Sequence, residues 1–379
     1  MIDKEVGEIR RHLKPDRASI RRYYGYYVSE KKELLAEFEK EAAITEEQEN
    51  ESYLTLLKKG IGGRIGKTLH SVEFATDMVA RGAEYALLKK LRDSEMEDEK
   101  ARRQLVQVII DNYETDKGYM ILLAFDAYDV PFKRRDAISL TNKFIEETES
   151  VDVFSYILCA VCPVQEKAKD LCYSNKEKEF ALTSENIVVK PPEIGMMFPA
   201  FTDRSTDLYG ALYYARNKAN IQDSLYVSLF CSKAPVSVEG QVEGFCTVLN
   251  TLGEESSINV IADVSSKIAE AVELHREEKD PEPLLMSKET LEDVLESCGV
   301  SEEATERAKA TFEEVFGKDG TVAQENLARK TALISTDRMT LSIDATAQKK
   351  VSLREMGGRK CLVIDIDGDA VFMNGVELK

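Results

Sequence analysis

The sequence predicts an α+β fold: a helical N-terminal third, a central mixed or antiparallel sheet, a second helical group, and a C-terminal helix pair with a small β unit. Three observations carry that expectation. Ala101, Leu105, Val108 and Ile109 recur at helical spacing within 97–111. Between 118 and 215 the pattern changes to unbroken apolar runs, 119–125 and 156–162, bounded by Pro, Gly and Asp. Many connections in that stretch are too short for a helical crossover, which favours antiparallel pairing.

The elements follow in order. Ile2, Val6, Ile9 and Leu13 set a first helix over 2–13, which ends at Lys14-Pro15 because proline forbids continuation. A strand is expected at 20–28, then helices over 30–43, 51–59, 64–73, 83–92 and 97–111. In the sheet region, 171–173 and 180–182 flank the polar 174–177 as a hairpin, and 187–189 and 196–198 are strands. The stretch 208–216 reads either way, since Leu208, Ala211, Leu212 and Ala215 fit a helix while Leu212-Tyr213-Tyr214 suits a strand. Helices resume at 221–231, 236–251 and 262–277. The charged stretch 276–283, held extended by Pro281 and Pro283, is the expected linker between a core domain of 1–280 and a C-terminal domain of 284–379. There, helices over 287–298 and 301–316 each begin at a serine N-cap and end at Gly299 and Gly317. Strands at 339–343, 351–356, 359–366 and 371–378 complete the chain, with Gly357-Gly358 as a hairpin turn.

Composition narrows the function classes. At 379 residues and 43% hydrophobic content the chain supports a sizeable core. It opens Met-Ile-Asp-Lys-Glu-Val, without a signal-peptide pattern, and no apolar run approaches the roughly 18 residues a membrane span needs, so a cytoplasmic protein without a membrane partner is expected. Seven scattered cysteines fit thiols better than a disulfide framework. A net charge of −18 repels nucleic acid and anionic lipid and favours a protein partner over nucleic acid, leaving the oligomeric state open. Any catalytic triad or His-rich metal site must draw on His12, His70 or His275, so no metal and no cofactor is expected.

Several motifs fail on spacing or context. Gly60 to Thr68 ends in Gly-Lys-Thr, but a phosphate loop of the Walker type would need its first glycine at Ile61 and a strand before it. A weaker anion site with Arg64 and Lys67 remains, against the reading of a plain interhelical turn. Residues 10–27 interleave Arg10, Arg11, Arg21 and Arg22 with Tyr23, Tyr24, Tyr26 and Tyr27, the mixture that binds phosphate and stacks bases. On a strand, however, alternate tyrosines split between faces and half become core. Cys159 and Cys162 have redox spacing, yet in a strand they point to opposite faces and no second pair completes a zinc tetrad. The run 363–369 is similar in part to a phosphatase nucleophile loop, but Asp369 stands where threonine belongs, and a terminal turn explains it better. The helix pair 287–316 carries too many glutamates to read DNA.

The densest polar cluster is Asp203, Arg204, Ser205, Thr206 and Asp207, with Asp126 and Asp129 ending an earlier strand. Two acidic pairs and an arginine suit a divalent cation or general acid/base work. Turn capping and internal Asp-Arg pairing explain the same residues structurally, with Arg204 expected to pair with Asp203, Asp207 or an aspartate of 126–129. Ile9-Arg10-Arg11 with Gly25-Tyr26-Tyr27-Val28, then 127–131, 157–164 and 198–207, resemble an uncharacterised family of cytosolic proteins from Gram-positive, mostly anaerobic bacteria, grouped as a domain of unknown function. The resemblance covers 1 to about 260, the region near Val376 more loosely, and implies no activity, ligand or catalytic residue. The favoured expectation is a non-catalytic cytosolic binding or regulatory protein. The alternatives are an RNA- or ribosome-associated protein using 10–27 and 58–67, and a metal-dependent hydrolase-like enzyme centred on Asp126, Asp129, Asp203 and Asp207.

Overall fold

The computed structural model describes residues 1–131, 152–167, 171–174, 178–182, 186–232, 234–278, 282–318, 320–328, 331–336, 338–344, 350–366, 371–373 and 376–378. It is α+β and divides into two compact units, Met1–Ser237 and Val238–Lys379. The charged stretch 276–283 falls within the second; its residues 279–281, the hairpin tip 175–177 and the aspartate turn 367–370 lie outside the described residues.

In the first unit, α1 (Asp3–His12) precedes β1 (Arg22–Val28), β2 (Leu34–Glu41), α2 (Glu47–Lys59) and β3 (Leu69–Glu73). Then come α3 (Thr76–Arg81), α4 (Ala83–Asp93), α5 (Glu99–Asn112), β4 (Tyr119–Asp129) and β5 (Val153–Lys167). The strands β6 (Leu171–Ser174), β7 (Glu179–Leu182), β8 (Asn186–Val189), β9 (Ile194–Phe198), β10 (Ala200–Thr202), β11 (Ser205–Asp207) and β12 (Gly210–Ala215) lead to α6 (Asp223–Phe230). One antiparallel sheet runs in the order β2-β1-β4-β5-β9-β12-β3, with β8 added to the end of β5. β6–β7 and β10–β11 are separate hairpins.

Both faces of this sheet are covered, and strand periodicity sorts the residues between them. Ile121, Leu123, Ile157, Val161 and Tyr213 face α4, α5 and α6, whose Leu88, Leu105, Ile109 and Phe230 close the first core. Leu122, Ala124, Tyr156, Leu158 and Leu212 face α1 and α2 through Val6, Ile9, Leu54 and Leu57. Such two-sided burial explains why β4 and β5 read as unbroken apolar runs. It also places Cys159 in one core and Cys162 in the other, where burial pushes the Cys159 thiol up to about 12.

Two predicted helices are strands. The stretch 30–43 contains β2, and 64–73 contains β3; these are the two edges of the sheet. β2 is almost wholly exposed and charged, and β3 is a short stretch whose Leu69 and Val72 go to opposite cores, so neither shows a clear strand alternation in sequence and ladder pairing decides its form. The ambiguous 208–216 resolves as β12, inserted between β9 and β3.

In the second unit, α7 (Val238–Asn250), α8 (Ile258–Glu278), α9 (Lys288–Ser297), α10 (Glu302–Phe316) and α11 (Gln324–Leu327) enclose a core of Phe245, Val264, Ile268, Leu291, Leu295 and Phe312. The short pair β13 (Leu285–Met286) and β14 (Val322–Ala323) sits with them. Ser287 accepts from the Thr290 N–H and Ser301 from the Ala304 N–H, the N-caps expected from sequence. Three hairpins follow: β15 (Thr331–Thr336) with β16 (Met339–Asp344), β17 (Val351–Met356) with β18 (Arg359–Ile364), and β19 (Val371–Met373) with β20 (Val376–Leu378). Gly357 and Gly358 turn the second of these with φ of 60° and 73°, the left-handed pair a two-residue hairpin loop requires.

Candidate functional site

Asp126 sits on β4 with the parity of Leu122 and Ala124, so it points at the α1 layer and is fully buried. Its Oδ1 accepts from the Ser19 N–H at 2.8 Å and the Ala127 N–H at 3.0 Å, and its Oδ2 accepts from the Tyr156 hydroxyl at 2.6 Å. His12, at the end of α1, brings Nε2 to 3.1 Å from Oδ2, in ion-pair range but outside hydrogen-bond geometry. Burial first, then the Asp126 charge and hydrogen bond, push the Tyr156 phenol well above its ordinary value. Both carboxylate oxygens thus accept hydrogen bonds, which is what makes a buried carboxylate tolerable.

The same helix face continues outward. The His12 ring lies 4.6 Å from the Tyr128 ring, and the Tyr128 hydroxyl donates to Glu8 Oε1 at 2.9 Å. Glu8 also receives Arg204 through Nε at 3.2 Å to both carboxylate oxygens and through a terminal nitrogen at 2.9 Å, and that nitrogen donates to the Pro131 carbonyl at 2.7 Å. Burial works to raise the Glu8 carboxyl, but the hydrogen bonds from Arg204 and Tyr128 and the charges of Arg204 and Arg11 outweigh it and hold the pKa below the ordinary value. Arg204 therefore pairs with a helix glutamate, and neither with Asp203 or Asp207 nor with the aspartates of 126–129.

Asp203 and Arg204 form the left-handed tip of the β10–β11 hairpin, with φ of 51° and 59°. The tip is fixed to α1 because Glu5 accepts the Asp203 N–H at 2.7 Å through one oxygen and the Ile2 N–H at 2.8 Å through the other. Asp207 turns inward on its own hairpin, taking the Thr202 hydroxyl at 3.0 Å and the Tyr209 N–H at 3.0 Å. Ser205 donates to the Thr202 carbonyl, and Thr206 pairs with Phe201 and is exposed. Asp129 is exposed at the end of the β4–β5 ladder, and Asp203 is exposed at the hairpin tip. Hence the hairpin does come to the end of β4, but through Arg204, and each aspartate keeps its own surroundings. Among the described residues no group of three or more His, Cys, Asp or Glu is placed to hold a metal ion.

Arg21, Arg22 and the tyrosines Tyr23, Tyr24 and Tyr26 of the basic segment are also engaged. Tyr23, Tyr24 and Tyr26 are buried, Tyr23 on one face and the other two on the opposite one, with the Arg102 guanidinium 3.9 Å above the Tyr24 ring. Arg21 meets Glu95 at 3.2 Å, and Arg22 stands among Glu39, Glu41 and Glu97 at 3.4–3.5 Å, beside a cavity of about 540 Å3. Arg10 and Arg11 lie in the last turn of α1. The loop carrying Arg64 and Lys67 is fastened to the other end of that helix by the Ile65 N–H to Asp3 at 2.8 Å. This loop leaves α2 and enters β3, so it follows a helix C-terminus, the end that presents carbonyls rather than anion-binding N–H groups. Its first glycine packs on the sheet: a Cβ on Gly195 would lie 1.9 Å from the Gly60 carbonyl oxygen.

A family model described as "Domain of unknown function (DUF4317)" matches residues 1–376. The chain belongs to this family. The match spans both units of the DUF4317 chain, beyond the 260 or so residues that carried the resemblance in sequence. No curated protein matches it. No solved structure matches it either.

Sequence reasoning singled out Asp126 and Arg204 but missed Glu8, Tyr128 and Tyr156 beside them, Glu5 on the Asp203 N–H, and the place of His12 against Asp126. A signal existed: Glu5, Glu8 and His12 are spaced i, i+3 and i+7, a polar stripe beside the apolar one of Ile2, Val6, Ile9 and Leu13.

Proposed function

We propose that the protein is a non-catalytic cytoplasmic binding module whose partner is another protein. The observation that carries this reading is the state of Asp126. Its carboxylate is wholly buried and both of its oxygens accept hydrogen bonds, from Ser19, Ala127 and Tyr156. A general base must come within about 3 Å of the proton it abstracts, and the groups already there are the protein's own. Asp207 and Arg204 are likewise turned to intramolecular partners, so the cluster fastens α1 and the β10–β11 hairpin to the sheet. The net charge of −18 favours a basic protein over nucleic acid as the ligand. The test is capture of the tagged full chain from its native cytosol after crosslinking, with mass spectrometry and nucleic-acid sequencing of what is retained. A reproducible, stoichiometric protein supports the reading. RNA recovered in its place would transfer it to segments 10–27 and 58–67.

A further inference from the structure

The strand β2 ends the sheet, and among the described residues no strand pairs with its outer rim. The Ala42 N–H donates to the Arg21 carbonyl, which fixes the phase of the ladder: in this register Ala36, Phe38 and Lys40 exchange hydrogen bonds with β1. The backbone groups of Glu37 and Glu39 therefore point away from the sheet, as does the Glu41 N–H, while the Glu41 carbonyl is taken by Thr45. All three glutamates share one face, opposite Tyr26, Tyr24 and Arg22. Two guanidiniums serve them: Arg103 reaches Glu37 at 3.2 Å, and Arg22 is divided among Glu39, Glu41 and Glu97. Carboxylates thus outnumber cations along an open row of backbone donors and acceptors, and exposed ion pairs of this kind exchange partners at little cost.

We infer that the β2 edge is the docking site for an extended segment of a partner protein bearing Lys or Arg at alternate positions. The segment adds a strand to the sheet, with backbone hydrogen bonds supplying the pairing and its basic side chains falling beside Glu37, Glu39 and Glu41. Charges on an edge strand also discourage self-association. A row of one sign does so while selecting a strand of the opposite sign. This inference rests on the protein-binding reading above and assigns that reading a surface and a ligand chemistry.

The probe is a fluorescent peptide alternating Lys with Val and Thr, titrated into the full chain by anisotropy at low salt. A peptide of equal charge with proline at every second position, which cannot pair, serves as control. Glu39→Pro removes an outward N–H without touching the β1 ladder. It is expected to weaken binding about tenfold, the equivalent of roughly one lost hydrogen bond. Glu37→Gln with Glu39→Gln, which leaves the backbone intact, is expected to weaken it severalfold and to flatten its salt dependence. Equal affinity for the proline control, or unchanged affinity in both variants, overturns the edge assignment and leaves the capture experiment above to judge the protein-binding reading. Absence of binding to the alternating peptide at low salt overturns the inferred ligand chemistry.

Discussion

Replacing Asp126 tests whether its cluster is structural. Asp126→Ala strands the buried Tyr156 hydroxyl, takes the acceptor from the part-buried Ser19 N–H and removes the anion facing His12. A buried donor left without an acceptor costs about 1–3 kcal/mol and a part-buried one less, so the loss should be about 3 kcal/mol, with Asn, which keeps one oxygen for Ser19 and Ala127, at roughly half. For a unit of 237 residues this lowers Tm by roughly 6–12 °C, at about 2–4 °C per kcal/mol. The assay is unusually clean. All 15 tyrosines lie in the first unit and the chain has no tryptophan, so near-ultraviolet circular dichroism of tyrosine reports that unit's packing. A Tm for Asp126→Ala within about 2 °C of the parent would refute the reasoning, because no satisfied buried carboxylate is removed so cheaply.

Three further outcomes are expected. Glu8→Gln and Arg204→Ala should each cost about 2 kcal/mol and the double variant about 1 kcal/mol less than their sum; strict additivity in urea unfolding would show the pair uncoupled. Because the folded Glu8 pKa is depressed, its contribution is complete above the ordinary carboxylate range and is lost as pH falls through the folded value, so Glu8→Gln should flatten the acid limb of the stability curve. His70 is buried with Nε2 unpartnered, and burial pushes its pKa down to about 4. Folding therefore favours the neutral ring: its stability is intact above pH 6.5 and falls by about 2 kcal/mol at pH 5, a loss that His70→Gln should abolish and that a parallel pH profile of variant and parent would disprove. Gly195→Ala drives a methyl into the Gly60 carbonyl and should cost about 3 kcal/mol, read as a fall in urea midpoint at unchanged slope.

Legibility in sequence followed the range of the forces involved. The periodicity of Ala101, Leu105 and Ile109 and the serine caps at Ser287 and Ser301 are local, and the corresponding elements are where the pattern placed them. The edge strands were not legible, since β2 and β3 are strands only because β1 and β12 lie beside them. Within the cluster, the need of Arg204 for a carboxylate is legible, but Asp203 and Asp207 beside it and the aspartates of 126–129 hide the partner that lies 196 positions away. Tyr23, Tyr24 and Tyr26 looked like a stacking platform because sequence shows one strand at a time, whereas burial on both faces is a property of the layers above and below.

Gly25 has a consequence for assembly as well as packing. Opposite it on β2 is Phe38, whose ring crosses the space a side chain would fill: a Cβ on Gly25 would lie 1.9 Å from the ring. The strand is exposed along nearly its whole length and so has little apolar preference to choose its alignment. A shift by one residue would turn Phe38 to the other face, and a shift by two would set its ring against Tyr23 or Tyr27. One gap in a row of tyrosines therefore acts as a keyhole, and the strand that displays Glu37, Glu39 and Glu41 is held in the only alignment that admits the ring.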